Sequence, residues 1–319
     1  MIPTRSLGQT DMHITPIGLG AWQFSEGQGF TGMFWQGLTA EETDAIVQAA
    51  LDGGINWFDT AELYGNGRSE RALSRALQHA GQTDANVIVA TKWSPIMRTA
   101  VSIRRTIDTR ISNLSPFTIA LHQVHNPASF SSPEAEMDAM ADLQAAGQIR
   151  AVGVSNFSSQ SMTRAHDRLY QRGSFLASNQ VKYSLLDRRI EGNGILAQAK
   201  KLGITIIAYS PLEMGLLSGK FHANPDLLNG RPFIRRRQLG RKIEESRPLI
   251  DGLNKIAADH GVTASQVALN WLVNFHGDTV VAIPGASKVR HAQENAGAMT
   301  FSLSPEEMAQ VDRLSRQFI

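Results

Sequence analysis

The sequence predicts an α/β protein built as a single (β/α)8 TIM barrel over residues 1–319, with an N-terminal β-hairpin and a long loop after strand seven. Three observations carry this. Eight short β-rich runs alternate with longer helix-period runs along nearly the whole chain, and eight strands close a barrel. Several of the runs are apolar without strict alternation, as parallel strands covered on both faces are. The first run is followed by a tryptophan, not by the Gly-x-Gly-x-x-Gly turn and helix start of a doubly wound nucleotide-binding sheet.

The strand candidates are "IGLGA" (17–21), "INWFDT" (55–60), "VIVATKW" (87–93), "TIALHQVH" (118–125), "AVGVSNF" (151–157), "SNQVKYS" (178–184), "ITIIAYSP" (204–211) and "TVVAIPGA" (279–286). Between them lie amphipathic segments. In "AEETDAIVQAALDGG", Ile46, Ala49 and Ala50 share one helical face and Thr39 is placed as the N-cap. Gly53, Gly147 and Gly203 each end a helical run just before a strand, where a left-handed cap favours glycine. A barrel takes about 250 residues, which leaves roughly 70 for embellishments. They are assigned to a hairpin around "SLGQTDMHITP", an insertion from Phe221 to Arg247, and the C-terminal "SPEEMAQVDRLSRQF".

Composition narrows the function classes. Lys plus Arg number 31 against 29 Asp plus Glu, so overall charge makes no case for nucleic acid or an acidic membrane surface, and any anion site must be local. The absence of cysteine excludes disulfides, thiolate metal sites and a thiol nucleophile. The N-terminus lacks a basic segment followed by an apolar one, and no run approaches the roughly 20 apolar residues that span a bilayer. The expectation is a soluble cytoplasmic protein; oligomeric state is not readable.

In such a barrel the chemistry sits at the C-terminal ends of the strands. Strand two ends at Asp59, strand three at Lys92 and strand four at His125, while Tyr64 follows Asp59 in a glycine-flanked loop. A carboxylate closing a buried strand needs a partner, and Lys92 supplies one. A cation beside a phenol lowers its proton affinity toward neutrality, which would make Tyr64 a usable general acid or base. Each of these alone reads as a structural ion pair or a packing tyrosine; four at successive strand ends point to catalysis. His122 lies an odd offset before His125, so the pleat sends the two imidazoles to opposite faces and makes His122 a core residue. A metal site from Asp59, His122 and His125 is then geometrically awkward, and no metal is expected.

These residues resemble the aldo-keto reductase superfamily over almost the whole chain. "LGQTDMHITPIGLGAWQF", "FDTAELYGNGRSE", "VGVSNF", "YSPL" with "LLSGK", and "IPGASKVRHAQENAGA" occur in the family's order. The resemblance implies reduction of an aldehyde or ketone with NADPH. Asp59, Tyr64, Lys92 and His125 match the catalytic tetrad, with Tyr64 giving the proton and His125 orienting the carbonyl. Ser155, Asn156 and Gln180 match positions that hold the carboxamide, Tyr209 the aromatic that stacks on the nicotinamide, and Ser210, Leu212 and Gly215 the pyrophosphate loop. The segment after strand eight departs from the better-known Lys-Ser form: Gly285 and Ala286 stand there, and His291 replaces a common arginine. Ser287, Lys288 and Arg290 would restore a grip on the 2′-phosphate, and Glu294 and Asn295 match adenine contacts.

The basic stretch 230–248, with Arg231, Arg235, Arg236, Arg237, Arg241, Lys242 and Arg247, either closes over the pyrophosphate or is a solvated loop; a nucleic-acid contact ranks below both, since the run has little aromatic interleaving. Trp22 and Trp93, with Phe34 or Trp35, are expected to line an aromatic substrate pocket, whereas Trp57 is expected in the core. Asn126 stands after His125 where many relatives have tryptophan. Two other functions remain: a redox-sensing or regulatory binding protein on the same fold, similar to the potassium-channel β subunits, and a metal-dependent barrel hydrolase.

Overall fold

The computed structural model describes residues 2–27, 37–228 and 233–319, without the side chains of residues 228, 233–239 and 241. Two short antiparallel strands come first, β1 (Arg5–Ser6) and β2 (His13–Ile14). Eight parallel strands follow: β3 (Leu19–Gly20), β4 (Trp57–Asp59), β5 (Ile88–Trp93), β6 (Ile119–Val124), β7 (Ile149–Ser155), β8 (Leu176–Lys182), β9 (Thr205–Tyr209) and β10 (Val280–Ala282). Each pairs with the next in chain order. The ring closes between its ends: Gly18 N–H donates to Ala282 O at 2.9 Å, and Ala282 N–H to Pro16 O at 2.9 Å. The predicted (β/α)8 barrel and its hairpin are therefore both present.

Residue parity divides the core in two. Phe58, Val89, Trp93, Val124, Val154 and Ile206 belong to the layer between strands and helices. Trp57, Ala90, Leu121, Ala151, Ile207 and Val281 face inward and cluster with Leu7, Met12 and Ile14 of the hairpin, which plugs the floor of the barrel. Trp57 fills that floor, as expected, and its indole donates to Thr15 O at 2.9 Å. Gly18 makes the packing possible, since a Cβ there would lie 2.3 Å from the Trp57 ring.

The helix signals held in most places. Thr39 caps the helix Ala40–Asp52 in a reciprocal capping box with Glu42. Gly147 (φ 70°) and Gly203 (φ 65°) adopt the left-handed conformation. Gly53 does not: its φ is −78°, and Gly54 turns the chain instead. What position 53 requires is closeness, because a Cβ there would sit 2.3 Å from Ala296 Cβ on the helix Val289–Gly297.

The long loop expected after strand seven is helical. It runs through Glu213–Ser218, Lys220–Ala223 and Pro225–Leu228, and from Phe233 a 28-residue helix continues to His260. The stretch from 233 to 247 is rich in Arg, Lys, Glu, Gln and Leu and contains one glycine, a composition that favours helix over loop. Among the described residues no helix is long and apolar enough to cross a membrane.

Candidate active site

The inward parity that places Trp57 in the floor continues upward along the same strands. Two residues past Trp57 comes Asp59; two past Ala90 comes Lys92; two past Leu121 comes Gln123, and then His125 just beyond the strand end. Asp59 and Lys92 are fully buried and form an ion pair through Oδ2 and Nζ. Lys92 Nζ also donates to Thr60 O at 2.9 Å and to Tyr64 Oη at 3.4 Å. The Tyr64 turn is fixed by backbone bonds, Glu62 N–H to Lys92 O at 3.1 Å and Ser69 N–H to Tyr64 O at 3.2 Å. His125 meets the Tyr64 ring edge-on, with centroids 5.7 Å apart, and Trp22 lies tilted at 6.4 Å from the same ring. The four side chains expected at the strand ends are thus one cluster.

Burial works against the Lys92 charge, but Asp59, Tyr64 and their hydrogen bonds outweigh it and hold its pKa above the ordinary value. For Tyr64 the balance goes the other way from the expectation. Burial pushes the phenol up, Lys92 pulls it down and Asp59 pushes it up again, with a net rise. Tyr64 is therefore a neutral phenol whose oxygen accepts from Lys92, leaving its O–H to donate elsewhere. Burial first, and Lys92 second, lower His125 to about 3, so the imidazole is neutral, and its Nδ1 has no partner. His122 is buried on the outer side beside Arg110 and is lowered to about 3 by burial and that arginine. It belongs to the core, as parity predicts, though its Nδ1 also lacks a partner.

Trp93 does not line a pocket. It is the neighbour of inward-facing Lys92, so its ring points into the outer core, where its indole donates to Ser102 Oγ at 3.1 Å. Phe34 and Trp35 lie outside the described residues. Asn126 follows His125 with its Oδ1 buried and unpartnered. No group of three or more His, Asp or Glu side chains among the described residues has the placement of a metal site.

The residues matched to the carboxamide and the nicotinamide form a chain of hydrogen bonds across the ends of β7, β8 and β9. Tyr209 Oη donates to Asn156 Oδ1 at 3.1 Å, Asn156 Nδ2 to Ser155 Oγ at 3.1 Å, and Ser155 Oγ to Gln180 O at 2.8 Å. Asn156 holds a left-handed conformation (φ 60°), a strain that asparagine tolerates better than most residues. The turn after β9 carries more: Ser210, Glu213 and Met214 all have φ between 46° and 53°, and Gly215 has φ 89°. Such clustering of backbone strain is a mark of binding loops. Leu212 packs against the core beneath this turn.

After β10, Gly285 leaves the space that the Gln23 amide fills, since a Cβ there would lie 2.4 Å from Gln23 Oε1. The helix Val289–Gly297 starts at Lys288 without a side-chain cap, so its first N–H groups remain available to an anion. Ser287 N–H and Oγ both lie 3.4 Å from His291 Nδ1. Burial holds the His291 imidazole below its ordinary value; Glu294 opposes this, while Lys220, Arg290 and Lys288 add to it. Lys220 is thus a third cation at this end, missed in the sequence although it ends the quoted "LLSGK". Arg290 is shared with Glu294 at 3.4 Å. Asn295 is buried, and its Nδ2 has no hydrogen-bond partner among the described residues.

In the basic stretch, Arg231 and the side chains of Arg235, Arg236, Arg237 and Arg241 lie outside the described residues. Lys242 is placed: its Nζ is 3.1 Å from Glu213, which also binds Lys182 at 2.6 Å. The long helix is therefore tied to the strained turn after β9.

Comparison with known proteins agrees with this arrangement. A model of the Aldo/keto reductase family matches residues 16–316. The chain is 32% identical to the chloroplastic pyridoxal reductase of Arabidopsis thaliana, over 99% of this chain and 87% of that protein. Among solved structures it is similar to an aldo-keto reductase from Klebsiella pneumoniae in complex with NADPH (TM-score 0.75, 25% identity, 99% and 96% of the two chains). It is also similar to a glycerol dehydrogenase from Gluconobacter oxydans (TM-score 0.80, 27% identity, 99% and 96%). On the family match and the shared barrel, the chain belongs to the aldo/keto reductase family.

Proposed function

We propose that this protein uses NADPH to reduce a small aldehyde or ketone to an alcohol, with Tyr64 as the proton donor. The observation that carries the reading is Lys92 Nζ seated between the Asp59 carboxylate and the Tyr64 hydroxyl. A neutral phenol with a cation on its oxygen is an acid whose conjugate base is stabilised at the moment the proton leaves. Asp59 keeps Lys92 charged for that purpose. The neutral His125 imidazole offers an N–H to the substrate carbonyl oxygen, so phenol and imidazole together favour negative charge developing there. Trp22 forms an apolar wall beside Tyr64.

NADPH, when bound, supplies the hydride that the carbonyl carbon receives. The residues present suit it. Ser155, Asn156 and Gln180 would hold the carboxamide and Tyr209 would face the ring. Ser210, Leu212 and Gly215 would serve the pyrophosphate, and Gly285, Ser287, Lys288 and Arg290, joined by Lys220, the 2′-phosphate end. Glu294 and the unpartnered Asn295 amide would meet the adenine. The NADPH complex of the similar Klebsiella pneumoniae structure supports this choice.

The test is titration with NADPH and, separately, NADH, followed by tryptophan fluorescence at two salt concentrations. Saturable NADPH quenching that weakens with salt, and much weaker NADH binding, is expected from a cationic grip on the 2′-phosphate. Binding of neither nucleotide would overturn the reading.

A further inference from the structure

Beneath the ion pair the barrel encloses two amides. Asp59 Oδ1 accepts from Gln123 Nε2 at 2.9 Å and from Gln180 Nε2 at 3.0 Å. An ionised carboxylate only accepts hydrogen bonds, so the atom that each amide presents to Asp59 must be its nitrogen. That choice fixes the rest. With its nitrogen on Asp59, Gln123 turns its Oε1 to Gln180 Nε2, 3.2 Å away. Both N–H bonds of Gln180 are then used inside the barrel, one on Asp59 and one on Gln123. Its carbonyl oxygen is what remains for a ligand.

Gln123 has no accessible surface, and the neighbouring strand is shaped around it. A Cβ at Gly153 on β7 would lie 2.9 Å from Gln123 Cγ and 2.5 Å from Ser178 Oγ. A central strand loses stability by carrying a glycine, which is kept where another group must approach closely. A fully buried amide is likewise costly unless its nitrogen and its oxygen both find partners, which Asp59 and Gln180 supply here.

We propose that Gln123 is a positioning residue: it locks Gln180 with its carbonyl oxygen outward, so that the site selects a ligand group that donates N–H, here the primary amide of the nicotinamide. This rests on the NADPH reading above. Without Gln123 the Gln180 amide keeps its bond to Asp59 but loses the second of its two anchors, so it can swing about the one that remains and its carbonyl oxygen is no longer held in line with an amide donor.

The experiment compares Gln123→Met, of similar length but without the amide, with the unaltered protein. Two ligands are titrated: NADPH and 2′-phospho-ADP-ribose, which has the same adenosine and phosphates but no nicotinamide. The expected result is a Kd for NADPH raised roughly 5- to 30-fold, the range of one or two hydrogen bonds, with the Kd for 2′-phospho-ADP-ribose within about twofold. Equal weakening of both ligands would show a general deformation and overturn the proposal, as would no change in either. Gln123→Leu serves the same comparison if the methionine variant does not fold. Failure of the unaltered protein to bind NADPH would overturn the cofactor reading itself, whereas failure of the selective loss would overturn only the role of Gln123.

Discussion

On β4, Trp57 packs with Leu7, Met12 and Ile14 in the floor of the barrel, while two residues later Asp59 sits among Lys92, Gln123 and Gln180 at the mouth. The strand and its inward direction are the same; the materials are opposite. Apolar burial in the floor stabilises at about 25 cal/mol per Å² removed from water. A buried ion pair does not: removing two charges from water roughly cancels their attraction, so apolar residues of similar size often serve stability as well or better. The floor is what a barrel needs to stay closed, and the mouth is what this one keeps for chemistry.

The comparison breaks most sharply at Tyr64. Tyr64→Phe removes one oxygen that contributes a single 3.4 Å hydrogen bond to the fold. Turnover should fall by about 10²- to 10⁴-fold, the scale of general acid catalysis, while the unfolding midpoint and NADPH affinity stay close to those of the unaltered protein. Steady-state kinetics beside a denaturant melt would decide it, and retained turnover would remove Tyr64 from the mechanism.

Trp57→Ala is the counterpart on the floor. It empties a fully buried position against Gly18 and loses the indole bond to Thr15, so about 3–5 kcal/mol of stability should go. Turnover per folded molecule should hold within a few-fold at a temperature where the variant remains native. Loss of turnover out of proportion to unfolding would mean that floor and mouth are mechanically coupled, and the division above would not stand.

Much of this was legible in the sequence because strand parity is a strict code. The three-residue offset from His122 to His125 put one imidazole in the outer core and the other at the mouth, as found. The same code, applied one residue along, contradicts the pocket role given to Trp93: a neighbour of inward Lys92 must point outward. Gln123 was readable by the same count, two before His125, but a lone glutamine in a buried strand gives no chemical signal until its partners are seen. Gly53 carried a true signal with a different cause, since closeness to Ala296 involves a helix more than 200 residues away. The stretch from 233 was read as part of a loop because it lies among the residues a barrel does not need, although its composition already favoured helix. The proton affinity of Tyr64 could not be read at all, because nearby charge was visible in the sequence and the depth of burial that outweighs it was not.

Another buried carboxylate on the mouth side sharpens the contrast with Asp59. Glu136, on the helix Pro133–Ala145, is 2% exposed, and Ser129 Oγ donates to it at 2.6 Å. Burial raises its pKa to about 7, and the hydrogen bond from Ser129 opposes this. The folded protein therefore keeps a proton between pH 4.5 and about 7 that the unfolded chain has released. Its stabilising contribution is full below pH 4.5 and is lost as pH rises through about 7, a change on the order of 3 kcal/mol. Glu136→Gln keeps an acceptor for Ser129 and has nothing to ionise, so that part of the pH dependence should vanish. Urea unfolding of both proteins at pH 5 and pH 8 measures it. The unaltered protein should lose stability over that interval by about 2 kcal/mol more than the variant. Parallel losses would mean that Glu136 is ionised and solvated in the native state, and that a buried carboxylate here does not need the amides and the lysine that surround Asp59.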